Sequence, residues 1–304
     1  MAAQADVFVV GATGLLGNRI VSAFLDRDVT VRALVRPGAA GEKKRALDAL
    51  RAEGVELVEG DITDPADRLA TAIGGARTVV SAVQGGPDLI IDGQANLLAA
   101  AEQAGAARFV PSDFAIDITK LDDGDNVMIG WRRQAAALFG GSRLGVLSVL
   151  NGAFAEVMTG FMDLIDWEKG TLSHWGDPDQ PMDLTTVQDT ALYTVAAALD
   201  PALADGGTVR FAGEVVSMRR FREAVERGTG RKLTLRTLGT ADELRAEIER
   251  RAMTTQNPFD YVALQYQWCM VTGKGKFDTL DNDRYPEIKP ASVEDFARTA
   301  NLPA

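Results

Sequence analysis

The stretch Val7-Phe8-Val9-Val10-Gly11-Ala12-Thr13-Gly14-Leu15-Leu16-Gly17 decides the fold, because an apolar run breaks into a glycine-spaced turn that opens into an amphipathic segment. Behind the turn, Leu15, Ile20, Val21, Phe24 and Leu25 recur at helical spacing, which predicts a strand, a turn and a helix. In that arrangement Gly11 permits the tight turn, Gly14 lets a phosphate approach the main chain, and Gly17 lets helix and strand pack closely. The first N–H groups of the helix then face an anion. The spacing is GxxGxxG rather than GxGxxG, and glycine-rich turns also occur where nothing binds, so context has to decide. A second apolar run, Val29 to Val35, follows Asp26-Arg27-Asp28 and completes a βαβ unit. The predicted pyrophosphate cradle is Gly11, Thr13, Gly14, Leu15, Leu16 and Gly17.

Strand-like and helix-like runs go on alternating: Val55 to Val58, Pro65 to Ile73, Thr78 to Val83, Leu89 to Gln103, Arg108 to Pro111, Met128 to Phe139 and Val146 to Leu150. Regular alternation means an α/β fold, a Rossmann-type doubly wound parallel sheet covered on both faces. Residues 1–150 form this dinucleotide-binding domain. Residues 151–304, with aromatic and Gly/Pro-rich loops around Trp167 to Pro181 and a helix near Val187 to Leu199, form a smaller α+β substrate-binding portion, partly interleaved with the first.

Ligands of such sheets lie across the carboxyl ends of the strands, where strand order reverses. Arg36 follows the second strand, where NAD binders usually place an acid, and a guanidinium suits a 2′-phosphate. Lys43, Lys44 and Arg45 lie a few residues on; they either join Arg36 in a cationic pocket or solvate the next helix. NADP(H) is therefore expected over NAD. Asp61 and Ile62 after the third strand would flank the adenine, Ser81, Ala82, Val83 and Gln84 would pass the riboses, and Pro111 and Ser112 would reach the nicotinamide end.

Composition narrows the class. The chain has 304 residues, 46% of them hydrophobic and 25% charged, enough for a full core. A net charge of −11 argues against nucleic acid and anionic membrane surfaces. One cysteine, Cys269, excludes an intrachain disulfide and a cysteine-based zinc site, and no metal is expected. The start, Met1 to Asp6, has no basic region, and no apolar stretch is long enough to span a bilayer, so a cytoplasmic protein is expected, as monomer or homodimer.

Four motifs together carry a resemblance: GATGLLG at 11–17, LVR at 34–36, EGDITDP at 59–65 and RFVPSDFAID at 108–117, joined by the tail KGKFDTLDNDRYPEIKPASVEDF at 274–296. In this order they resemble the NmrA-like and isoflavone-reductase-like branch of the atypical short-chain dehydrogenases. The resemblance implies NADPH binding and, in the family's enzymes, hydride transfer to an aromatic or conjugated small molecule. Some NmrA-like members instead act as non-catalytic NADP sensors.

Isoflavone-type reductases place a lysine in the helix after the PSDF-like loop, and this chain has Arg132 there. Arginine is no practical proton donor, since its pKa exceeds 12, yet it orients a carbonyl and stabilises developing negative charge. Arg132 shares helical spacing with Met128, Ile129, Ala135, Ala136 and Phe139, so it leaves an apolar face. It meets either a ligand or a carboxylate such as Asp113 or Asp117. Catalytic candidates are thus Arg132, Ser112 as a hydrogen-bonding neighbour, and Lys120 as a proton donor beside His174 or water. Tyr285 and Lys289 have the Tyr-xxx-Lys spacing, but Pro286 precludes a continuous helix between them. Candidate substrate contacts are Phe114, Trp131, Asn151, Phe154, Met158 and His174, with Phe161, Trp167 and Trp175 as further aromatic lining.

Overall fold

The structure, a computed structural model, describes residues 5–38 and 40–302; of the start read above, Met1 to Gln4 lie outside the described residues. The chain folds as two units that exchange segments. The first runs through Phe114 and takes in Trp131–Val149 and Thr190–Val209; the second holds Ala115–Gly130, Leu150–Asp189 and the chain from Arg210 on.

The first unit is built on β1 (Val7–Val10), β2 (Val31–Val35), β3 (Glu56–Glu59), β4 (Thr78–Ser81), β5 (Arg108–Val110) and β6 (Gly145–Leu150), with the strand Gly206–Arg210 beside β6. Across the sheet the order is Gly206–Arg210, β6, β5, β4, β1, β2, β3. β1 pairs in parallel with both β2 and β4, Val7 lying beside Val31 and Thr78, so strand order reverses at β1. All four residues of β1 are buried, as expected of a strand covered on both faces. Helices α1 (Leu15–Leu25), α2 (Gly41–Ala52), α3 (Ala66–Ile73), α4 (Gln94–Gln103) and α5 (Val127–Phe139) fill the crossovers. The core gathers Phe8, Leu34, Ile73, Leu97, Phe109 and Phe139, the last two edge-on with ring centroids 5.6 Å apart.

Two readings of this half change. Leu15 is not part of the buried face of α1; it is 65% exposed, because the helix turns Gly17, Ile20, Val21, Ala23 and Phe24 inward and leaves its first residue on the turn. The helix expected from Leu89 is α-helical only from Gln94, and Asp88–Gly93 form a π-helical turn before it.

The second unit carries two three-stranded sheets. One orders Glu214–Ser217, Pro181–Thr185 and Ala153–Phe154; the other orders Thr234–Gly239, Thr171–Trp175 and Ile165–Asp166. The segment Trp167 to Pro181, read as loop, thus holds a strand at Thr171–Trp175. Leu172 and His174 are buried while Thr171, Ser173 and Trp175 are half-buried, a period-two pattern masked in the sequence by the short run and the glycines at both ends, Gly170 and Gly176. The helix Val187–Leu199 forms as expected. Ser217 caps the helix Met218–Thr229 and Gly230, at φ 74°, ends it; Thr240 and Glu243 form a capping box on Ala241–Ala252. Tyr285 and Lys289 lie outside any helix, and the Tyr285 ring packs near Phe211 at 5.9 Å. Among the described residues no helix is long and apolar enough to cross a membrane, and no group of His, Cys, Asp or Glu side chains is placed to hold a metal ion.

Candidate functional site

In a parallel sheet all carboxyl ends share one edge, so the loops after β3, β2, β1, β4 and β5 line up there in that order. The turn after β1 is tight for reasons internal to the protein at two of its glycines. Gly11 has φ 88°, and a Cβ on it would strike the Ala82 carbonyl; a Cβ on Gly17 would strike the Gly11 carbonyl. Gly14 is different. Its φ of −78° suits any residue, and among the described residues beyond its chain neighbours a Cβ there would come within 4 Å of the Gly11 oxygen alone, at 3.2 Å. No side chain caps α1 at Gly14, and Thr13, Gly14 and Leu15 are exposed, with Leu16 half-buried. An open side at Gly14 next to an uncapped helix N-terminus is the geometry that accepts a phosphate, so these residues fit a pyrophosphate.

Arg36 is exposed at the end of β2, and its charge reaches Asp61 after β3. The Asp61 carboxyl is held below its usual range chiefly by the Thr63 amide and hydroxyl, with Arg36 adding to this, so it is an anion beside a cation. Lys44 pairs with Asp48 at 2.9 Å along its own helix, which is the solvating role rather than the pocket role. Ile62 packs into the first-unit core and its carbonyl accepts from Asn96 at 2.9 Å, so its side chain does not face outward toward an adenine.

At the other side of β1, Ser81 is fully buried and its Oγ has no hydrogen-bond partner; Ala82 and Val83 are half-buried and Gln84 is exposed. Pro111 and Ser112 are buried. The Ser112 hydroxyl donates to the Val83 carbonyl at 2.6 Å, its main-chain N–H donates to Gln94 Oε1 at 2.6 Å, and its carbonyl accepts from Arg132 Nε at 3.1 Å. Ser112 is therefore a junction between two strand-end loops and α5. The buried Asp113 carboxyl accepts from Ser148 Oγ at 2.6 Å and feels the Arg132 charge, but burial dominates and pushes its pKa up. Of the two carboxylates considered for Arg132, Asp113 is the neighbour, since Asp117 pairs with Arg210 at 3.0 Å. Phe114 is buried and Trp131 half-buried in this unit. Gln94 had no signal in the sequence, being one polar residue within a helical run.

The remaining predicted residues belong to the second unit. Lys120 Nζ donates to the Lys276 carbonyl at 2.7 Å and to Asp278 at 2.5 Å, which engages its ammonium. His174 is not on a loop: it is buried on its strand, Nδ1 facing the Trp175 carbonyl at 3.2 Å and Nε2 facing Thr237 Oγ1 at 2.9 Å. Met158 packs among Met162, Leu164 and Phe221 in the core, and Phe154 is half-buried. Asn151 follows β6 and is fully buried; its main chain is held by Ala115 and Thr185, yet neither amide atom of its side chain has a hydrogen-bond partner. A cavity of about 530 Å³ in this unit is lined by Trp167, Leu164 and Ile165 together with charged Asp166, Lys169 and Arg236, so the wall around that tryptophan mixes charged and apolar groups.

Residues 3–136 match the NmrA-like family. Over nearly its whole length the chain is similar to isoflavone reductase of Pisum sativum, at 24% identity with 97% of this chain and 98% of that protein covered. It is similar to pinoresinol reductase 2 of Arabidopsis thaliana at 26%, with 96% of each covered. Its fold superposes on the binary complex of leucoanthocyanidin reductase with NADPH from Vitis vinifera with a TM-score of 0.83, covering 96% of this chain and 97% of that one; at 22% identity the likeness is one of fold.

Proposed function

From a chain whose residues 3–136 are NmrA-like and whose whole length resembles isoflavone and pinoresinol reductases, we propose an NADPH-dependent reductase. It passes a hydride to a C=O or conjugated C=C bond of a small aromatic or polyketide-like substrate. The observation that carries the reading is the open side of Gly14 at an uncapped helix N-terminus, with a guanidinium, Arg36, at the next strand end. NADPH supplies the hydride, and the protein supplies binding, orientation and electrostatics. The amides around Gly14 hold the pyrophosphate and Arg36 holds the 2′-phosphate. Arg132, steadied through Nε on the Ser112 carbonyl, orients the acceptor oxygen and stabilises its growing negative charge. In the second unit, Asn151 offers one unused donor and one unused acceptor to a ligand. Lys120 and His174 are both engaged by protein partners, which favours water as the proton source.

A second reading, a non-catalytic NADP-binding redox sensor, is favoured by Arg132 standing where the reductases carry lysine. Calorimetry with NADPH, NADP+ and NADH, followed by NADPH oxidation with a panel of quinones, enones and aromatic ketones, separates the cases. The reductase binds NADPH the tighter and oxidises it with at least one class. Equal affinity for both redox states without turnover supports the sensor, and uptake of neither coenzyme overturns both.

A further inference from the structure

Gln94 lies in the first unit where the π-helical turn meets α4, and its side chain is used at both ends. Oε1 accepts from the Ser112 N–H at 2.6 Å and Nε2 donates to the Ile90 carbonyl at 3.0 Å, all with no exposed surface on Gln94. In an α-helix the Gln94 main-chain N–H would take the Ile90 carbonyl. Here the π-helical turn Asp88–Gly93 ends at that point, and the Gln94 side-chain amide donates to the Ile90 carbonyl. Ser112 passes the tie on, through its hydroxyl to Val83 and through its carbonyl to Arg132. One glutamine so joins the turn Asp88–Gly93, the loop after β4 and the loop after β5.

We propose that Gln94 is a positioning residue for the nicotinamide half of the dinucleotide, an inference that rests on the proposed function. The loops it ties are those assigned to the riboses and the nicotinamide end. The adenosine half rests on Gly11 to Gly17 and Arg36, with which Gln94 shares no hydrogen bond. An apolar side chain of similar length at this position takes the Gln94 partner away from the buried Ser112 N–H and from the Ile90 carbonyl, a loss relieved by opening the π turn and turning the Ser112 peptide. Those movements displace Val83 and Arg132 and leave the glycine turn in place. π-helical turns recur at functional sites.

The test is Gln94→Met, with NADPH and adenosine 2′,5′-bisphosphate titrated separately by calorimetry well below the unfolding temperature. NADPH dissociation constants rise about tenfold, the size of one lost charge-neutral hydrogen bond or two weak ones, while the bisphosphate changes by less than about twofold. A purely structural role weakens both ligands together, and that result, or no change in either, overturns the proposal. Should Gln94→Met not fold, Ser112→Ala cuts only the link to Val83 and must show the same split between the two ligands; an unchanged ratio overturns the proposal equally. Wild-type protein that takes up no NADPH sinks the proposed function instead, so the two failures are distinct.

Discussion

Replacing Gly14 by alanine separates what the glycine turn does for the fold from what it does for a ligand. The backbone at Gly14, φ −78° and ψ 168°, is open to alanine without strain, and the new methyl meets only the Gly11 oxygen at 3.2 Å, which has to yield by a few tenths of an ångström. Alanine is a poorer N-cap than glycine, so stability falls by roughly 0.5–1 kcal/mol, and the melting temperature by a few degrees at most. The ligand is affected far more. The methyl stands on the open side of the turn and holds a phosphate away from at least two amides, whose charge-assisted bonds are worth about 1.5–3 kcal/mol each. A loss of about 3 kcal/mol raises the NADPH dissociation constant roughly 100-fold. Gly17→Ala is the control of opposite kind, because its methyl lands on the Gly11 carbonyl and neither backbone can withdraw; overpacking of that sort costs about 3 kcal/mol of stability. Thermal melts followed by circular dichroism and calorimetry with NADPH read both quantities. A folded Gly14→Ala protein with wild-type affinity for NADPH would refute the reasoning.

Arg36→Ala removes the guanidinium expected to hold the 2′-phosphate, so NADPH affinity drops about tenfold or more while NADH affinity does not move; parallel titrations check it, and equal loss for both coenzymes rules the role out. Asp113→Asn tests the buried carboxyl. Burial raises its folded pKa above the ordinary 3.8, so the folded state binds the proton more tightly than the unfolded chain. Wild-type stability from this group is therefore full below 3.8 and is lost as pH climbs through the raised value. The melting temperature of Asp113→Asn relative to wild type should rise over that window, and a difference that is flat or falls with pH contradicts the assignment. Burial pushes the Cys269 thiol up to about 12. Native protein should resist iodoacetamide near about pH 8 and take up one equivalent only after unfolding, as mass spectrometry will show; rapid native labelling would mean the helix Val262–Val271 opens readily.

The succession of strands and helices through the first unit was legible because its signals are local. The continuous apolar run of β1, the mostly apolar β2, the glycine turn at Gly11 to Gly17 and the arginine after β2 can each be read within a dozen residues. The strand Thr171–Trp175 escaped because five residues with two buried side chains give too little periodicity to outweigh flanking glycines. The π turn escaped because its side-chain pattern is that of a helix start, and only the main-chain bonds distinguish it.

By itself the sequence determined the fold class and the place of the glycine turn between β1 and α1, since periodicity and glycine spacing act between near neighbours on the chain. Which groups meet was decided only by tertiary structure. Arg132 reaches Ser112 across 20 positions, Gln94 reaches the same residue across 18, and Lys120 reaches Asp278 across 158. Such pairings depend on strand order and on how helices pack over the sheet, and no local pattern encodes either. For the same reason His174, the lone histidine, reads as a loop residue in the sequence and proves to be a buried strand residue held by Thr237.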